Sequence, residues 1–136
     1  RYRSRLSGPL LDRIDLQINV SRLTDEELLN IKEEAEPSSV IRKRVVGARQ
    51  IQLARYKKEG ILTNYDLRAK LVEKYCTLDD DSKSLLKFAA AKFDLSARSY
   101  ERILKLSRTL ADLSQKEKID ANDISQALQY RGLGNY

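Results

Sequence analysis

The 136-residue sequence has no His, Met or Trp, one Cys, two Pro and five Gly. Without histidine, and with Cys76 alone, the usual zinc ligand sets and histidine-dependent nucleophilic triads are excluded, and with them most stand-alone hydrolytic chemistry. One cysteine makes no internal disulfide, and Cys76 reads as a small buried residue. No apolar run approaches the ~20 residues of a membrane span, and no signal-peptide pattern opens the chain. The expectation is a cytoplasmic protein with no membrane partner. The missing methionine predicts that Arg1 is not where translation began and that the chain is cut from a longer protein. What is present, 41% hydrophobic and 34% charged residues, suffices for one ordinary domain with a core.

The net charge of +6 is unevenly spread. Residues 1–23 carry +3, residues 24–37 carry −5 and residues 40–60 carry +6. Two basic stretches of this kind fit an anionic partner, or a solvated helix face whose Lys and Arg stems cover apolar surface.

Residues 15–20 alternate polar and apolar side chains, with Leu16, Ile18 and Val20 on one side, and predict a half-buried strand after the helix-breaking Ser7-Gly8-Pro9. From Thr24 onward the pattern is helical. Thr24 and Glu27 form a capping-box signature for a short acidic helix through Leu28, Ile31 and Ala35, stopped by Pro37. Ser39 opens a basic helix with Ile41, Val45, Ala48 and Ile51 on one face and Gly60 at its end. A helix over about 66–75 buries Leu67, Leu71 and Tyr75, and another led by Asp79-Asp80-Asp81 buries Leu85, Leu86, Ala89 and Phe93. Ser96 opens a fifth, with Tyr100, Ile103, Leu104, Ser107, Leu110 and Ala111 inward; Asp120 and Asp123 open the last, burying Ile124, Ala127 and Leu128. Tyr56, Tyr65 and Tyr130 read as core or rim residues, with base stacking the less favoured use.

Four stretches carry a more specific signal: Arg5-Leu6-Ser7-Gly8-Pro9-Leu10-Leu11-Asp12-Arg13-Ile14-Asp15-Leu16; Ile41-Arg42-Lys43-Arg44-Val45 with Ala48-Arg49-Gln50-Ile51-Gln52; Leu95-Ser96-Ala97-Arg98-Ser99-Tyr100-Glu101-Arg102-Ile103-Leu104-Lys105; and Ala127-Leu128-Gln129-Tyr130-Arg131. Together they resemble the C-terminal part of the magnesium chelatase-related AAA+ ATPases, the ComM/YifB-like family. The resemblance implies a mainly α fold. Residues 1–22 would be the end of the AAA+ core with its last strand, residues 23–37 an acidic linker or short helix, and residues 38–136 a helical-bundle lid. It implies a hexameric ring of neighbouring subunits that uses ATP and Mg2+ in the full-length parent, with neither expected on the fragment alone.

By resemblance, Arg13 is the arginine finger that acts in trans, and Arg98 is the sensor 2 residue that contacts nucleotide phosphates. By spacing alone Arg13 also fits an ion pair with Asp12 or Asp15, Arg98 an ordinary exposed arginine, and Arg102, one turn on, the sensor role. Arg42, Lys43, Arg44, Arg49 and Arg55 fit contacts to DNA phosphates, a subunit interface, or plain solvation. No Gly-x-x-x-x-Gly-Lys-[Ser/Thr] loop and no Walker B strand occur, so the chain alone is expected to be inactive. For the parent, a DNA-remodelling motor of helicase or branch-migration type stands first. An ATPase partner in metal insertion into a porphyrin and a plain DNA-binding helical module remain as alternatives.

Overall fold

A computed structural model describes residues 10, 13–25 and 35–132 of the chain. Five α-helices form its body: α1 (Ser38–Tyr56), α2 (Ala69–Tyr75), α3 (Asp80–Lys92), α4 (Ala97–Leu113) and α5 (Ala121–Tyr130), with a 3-10 turn at Asn64–Asp66. The fold is mainly helical, as expected. Among the described residues, strand-like pairing is confined to an isolated parallel bridge between Leu78 and Ile119. None of the described helices is long and apolar enough to cross a membrane.

Side-chain caps set several helix starts. Asp79 accepts the Ser82 amide at 2.8 Å ahead of α3, and Ser96 accepts the Ser99 amide at 3.1 Å ahead of α4. Asp120 and Asp123 bond each other's amides at 3.0 and 3.1 Å, which completes a capping box ahead of α5. Asp66 accepts both the amide and the hydroxyl of Thr63, so it closes the 3-10 turn and α2 starts three residues later than the periodicity predicts. At the far ends of α3 and α4, Asp94 and Gln115 take φ of 47° and 56°. The Leu95 and Lys116 amides then reach back to the carbonyls of Ala90 and Ala111, as in a Schellman stop.

Helix α4 is the hub: it packs against α1, the 3-10 turn, α2 and α5, and α5 in turn packs on α3. Between them Tyr56, Leu67, Leu86, Ile103, Ile119 and Ile124 lose essentially all solvent contact. Cys76 is buried as expected, and that burial pushes its thiol up to about 11.

Four expectations are corrected. Residues 15–20 form no strand: among the described residues no second strand lies beside them, and Ile18 and Val20 are 70% and 91% exposed. In α1 the buried stripe is Ala48, Gln52 and Tyr56, while Ile41 and Val45 are 43% and 47% exposed. The buried positions of α1 all lie in its C-terminal half, and among the described residues the apolar positions of its first turns are left uncovered; the helix also ends at Tyr56, before a turn in which Gly60 takes φ 68°. In α4, Tyr100 is 39% exposed while Ile103, Leu104, Ser107 and Ala111 are buried as expected. Most of the acidic helix expected after Thr24 lies outside the described residues.

Candidate functional site

The Ser96 cap fixes where α4 begins, and Arg98 is its second residue. Its side chain is exposed on the wall of a cavity of about 600 Å³ between the face of α4 from Arg98 to Thr109, the segment 65–69, and Asp15 with Leu16. Arg68, Arg102 and Lys105 supply three more cations to the same wall, against Asp15, Asp66 and Glu101.

The pairings within the wall separate these cations. Arg102 is bound to Asp15 at 2.6 Å, and Lys105 to Glu101 at 2.8 Å with a further bond to the Tyr65 carbonyl at 3.3 Å. The side chains of Arg68 and Arg98 make no hydrogen bond or ion pair among the described residues. Two guanidinium forks are thus left with free donors beside an open cavity, one of them in the first turn of α4. This is a donor set for an oxyanion of the phosphate or carboxylate kind. Tyr65, 73% exposed, adds an aromatic face to the rim.

Arg13 is exposed in a turn outside the cavity lining, with its amide on the Leu10 carbonyl at 3.0 Å. Its backbone is tied to the bundle: the Arg13 carbonyl accepts from Arg102 at 2.6 Å, and the next carbonyl, of Ile14, accepts from Arg131 at 3.1 Å. The pairing of Asp15 is with Arg102 and not with Arg13. The structure therefore brings Arg98 and the 13–16 segment to the first turns of α4, with Arg98 lining the cavity and Arg13 outside its lining.

The basic residues of α1 stand elsewhere. Arg42, Lys43, Arg44 and Arg49 are exposed and do not line the cavity; Arg44 reaches Glu36 at 2.7 Å and Arg49 reaches Gln52 at 3.4 Å. Arg55, grouped with them by sequence, is a correction: it makes a two-pronged pair with Asp112 at 2.5 and 3.0 Å. Burial pulls the Arg55 pKa down, but the hydrogen bonds and charge of Asp112 outweigh it and hold the group above its ordinary value.

The residues that sequence reasoning missed are Arg68 and the set around Asp112. Asp112 is fully buried and also accepts from Arg108, Gln52 and Asn64, at 3.1, 3.3 and 2.9 Å. Arg108 spends its remaining donors on the carbonyls of Lys116 and Glu117, and the Tyr56 hydroxyl donates to Asn64 at 2.6 Å. A signal existed: Arg108 and Asp112 sit at i and i+4 beside the inward Leu104, Ser107 and Ala111 of α4, where an oppositely charged pair can be buried only if its charges are matched. Arg68 left none, because its closeness to Arg98 is a matter of tertiary packing.

The family model for the C-terminal part of magnesium chelatase subunit ChlI matches residues 35–131, and the model for magnesium chelatase subunit ChlI matches residues 1–28. The chain is similar to the competence protein ComM of Haemophilus influenzae, with 41% identity over 133 residues, which is 98% of this chain and 25% of that protein. It is similar to the uncharacterized YifB proteins of Salmonella typhimurium and Escherichia coli at 34% and 32% identity, again over 98% of the chain and 26% of each relative. The chain thus spans about a quarter of the length of these relatives. A helical bundle organised on α4 and a match over residues 35–131 lead to one statement: the chain belongs to the magnesium chelatase ChlI-related family that includes ComM and YifB, and corresponds to its C-terminal part.

Proposed function

We propose that this chain is the lid-bearing end of a ring-forming, hexameric AAA+ ATPase that remodels DNA. Arg98 reads the phosphates of its own subunit's ATP, and Arg13 acts on the site of the neighbouring subunit. The observation that carries the reading is the state of Arg98: second in α4, exposed on the cavity wall, and without an ion pair among the described residues, while Arg102 and Lys105 beside it are already neutralised. A polyphosphate presents several charged oxygens, and a planar fork beside a helix N-terminus meets them with charge-assisted hydrogen bonds. Loss of the terminal phosphate removes part of the charge that Arg98 holds, so the lid loosens from its site. Arg13, exposed outside the cavity, is free to present its guanidinium outward, where negative charge builds on the transferred phosphoryl group next door. Mg2+ travels with the nucleotide on this reading, and Asp15 and Glu101, engaged with Arg102 and Lys105, are not assigned to it. The 136-residue chain alone turns over no ATP.

In the full-length protein, Arg98→Ala weakens ATP binding about 10- to 100-fold, the loss of a hydrogen bond to a charged group, as read by titration with a fluorescent ATP analogue. Unchanged affinity contradicts the assignment. The DNA part rests on the exposed face of α1. With Arg42, Lys43 and Arg49 all changed to alanine, the slope of log affinity against log salt for duplex DNA becomes shallower by about two to three. An unchanged slope removes α1 from the DNA surface.

A further inference from the structure

The segment that carries Arg13 has little to hold it by burial. Residues 13–20 are without helix or strand, and Ile14, Leu16, Ile18 and Val20 are all substantially exposed. Among the described residues, polar contacts through Arg102, Arg131 and Gln17 join it to the bundle. Arg102 uses one terminal nitrogen for two acceptors, the Asp15 carboxylate and the Arg13 carbonyl, each at 2.6 Å. Arg131 joins the Ile14 carbonyl at 3.1 Å to the Ser99 hydroxyl at 3.0 Å. The Gln17 amide donates to the Tyr130 carbonyl at 2.5 Å. Arg102 and Ser99 belong to the same first turns of α4 as Arg98, and Tyr130 ends α5.

We infer that Arg102 is a positioning residue: it fastens the Arg13 backbone to α4 one turn from Arg98, so that the two guanidinium groups move as one body. The inference rests on the reading of Arg98 and Arg13 as phosphate-directed residues in the preceding section. An exposed ion pair alone would be a weak fastening, since water competes for both partners. Arg102 is only 19% exposed against 47% for Asp15, and the second acceptor on the Arg13 main chain makes the contact a grip on the backbone at the residue that matters. Capture of phosphate by Arg98 then shifts the Arg13 that faces the next subunit, which couples adjacent sites.

The test is ATP saturation of the full-length protein as wild type, Arg102→Ala, Arg102→Lys, Asp15→Ala and Arg13→Ala, with tryptic cleavage at the Arg13–Ile14 bond of each folded protein that keeps Arg13. Arg102→Ala is expected to lower kcat roughly tenfold, to leave KM within about twofold, to bring the Hill coefficient toward one, and to speed cleavage. Arg102→Lys, which keeps a charged donor, falls between it and wild type. Asp15 lies outside the bundle core, so Asp15→Ala gives the same direction without endangering the fold. Wild-type kcat and Hill coefficient in Arg102→Ala or Asp15→Ala, with Arg13→Ala inactive, overturn the positioning role and leave the Arg13 assignment standing. Full activity of Arg13→Ala overturns both.

Discussion

Changing Asp112 to alanine lowers the unfolding free energy of the chain by about 3–5 kcal/mol, the cost of breaking a buried ion pair from one side. The carboxylate has no solvent contact and accepts from four side chains: Arg55 with both prongs, Arg108, Gln52 and Asn64. Arg108 is as buried as its partner, and its carbonyl contacts near residues 116 and 117 cannot balance its charge. Removing Asp112 therefore strands one buried cation and a partly buried second, and it strips acceptors from two amides. The same carboxylate links α1, the 3-10 turn and α4, so the damage falls on the joint of the bundle. Urea unfolding followed by circular dichroism reads the loss, with Arg42→Ala, on the exposed face of α1, within about 0.5 kcal/mol of wild type as the reference. A cost below about 1 kcal/mol, the range of an exposed pair, contradicts this account of the network.

In the full-length ATPase proposed above, Arg13→Ala lowers kcat about 10³-fold, the lower end of what an arginine finger supplies, and leaves the ATP KM nearly unchanged. The split follows from when the residue acts. A guanidinium offered by the neighbour stabilises charge that develops only as the phosphoryl group transfers, so its loss is felt in the transition state and not in ground-state binding. The side chain is exposed and its carbonyl and amide make the contacts to the rest of the chain, so folding is spared. Steady-state hydrolysis over a range of ATP concentrations checks both halves, and a kcat within threefold of wild type contradicts the finger role.

Helix starts were the most legible feature of the sequence. Asp79, Ser96 and the Asp120/Asp123 pair act through bonds spanning three residues, and such local chemistry is written locally. Helix ends were harder to see, because Asp94 and Gln115 occupy left-handed positions where glycine is the usual sign. The inner face of α1 was misread for a tertiary reason: Gln52 is buried to serve Asp112, sixty residues away, while Ile41 and Val45 lie beyond the reach of α4. Alternation in residues 15–20 predicted a strand, yet a strand is a property of a pair and no partner strand lies among the described residues. For the candidate site, the α4 motif pointed to Arg98, which the structure places on the cavity wall, but Arg68 and the contacts of Arg102 and Arg131 with residues 13–15 join parts of the chain too distant for spacing to reveal.

Mixing two variants shows whether one functional site takes Arg98 from its own subunit and Arg13 from the next. Arg98→Ala and Arg13→Ala full-length proteins are each assayed alone, at an ATP concentration where both are poor, and then after subunit exchange at equal amounts. In a head-to-tail ring an Arg13→Ala subunit retains its own Arg98 and, next to an Arg98→Ala subunit, receives an intact Arg13, so about a quarter of the sites are restored. Turnover is expected to rise on mixing toward about a quarter of the wild-type rate. Turnover that stays at the mean of the two separate variants contradicts the shared site.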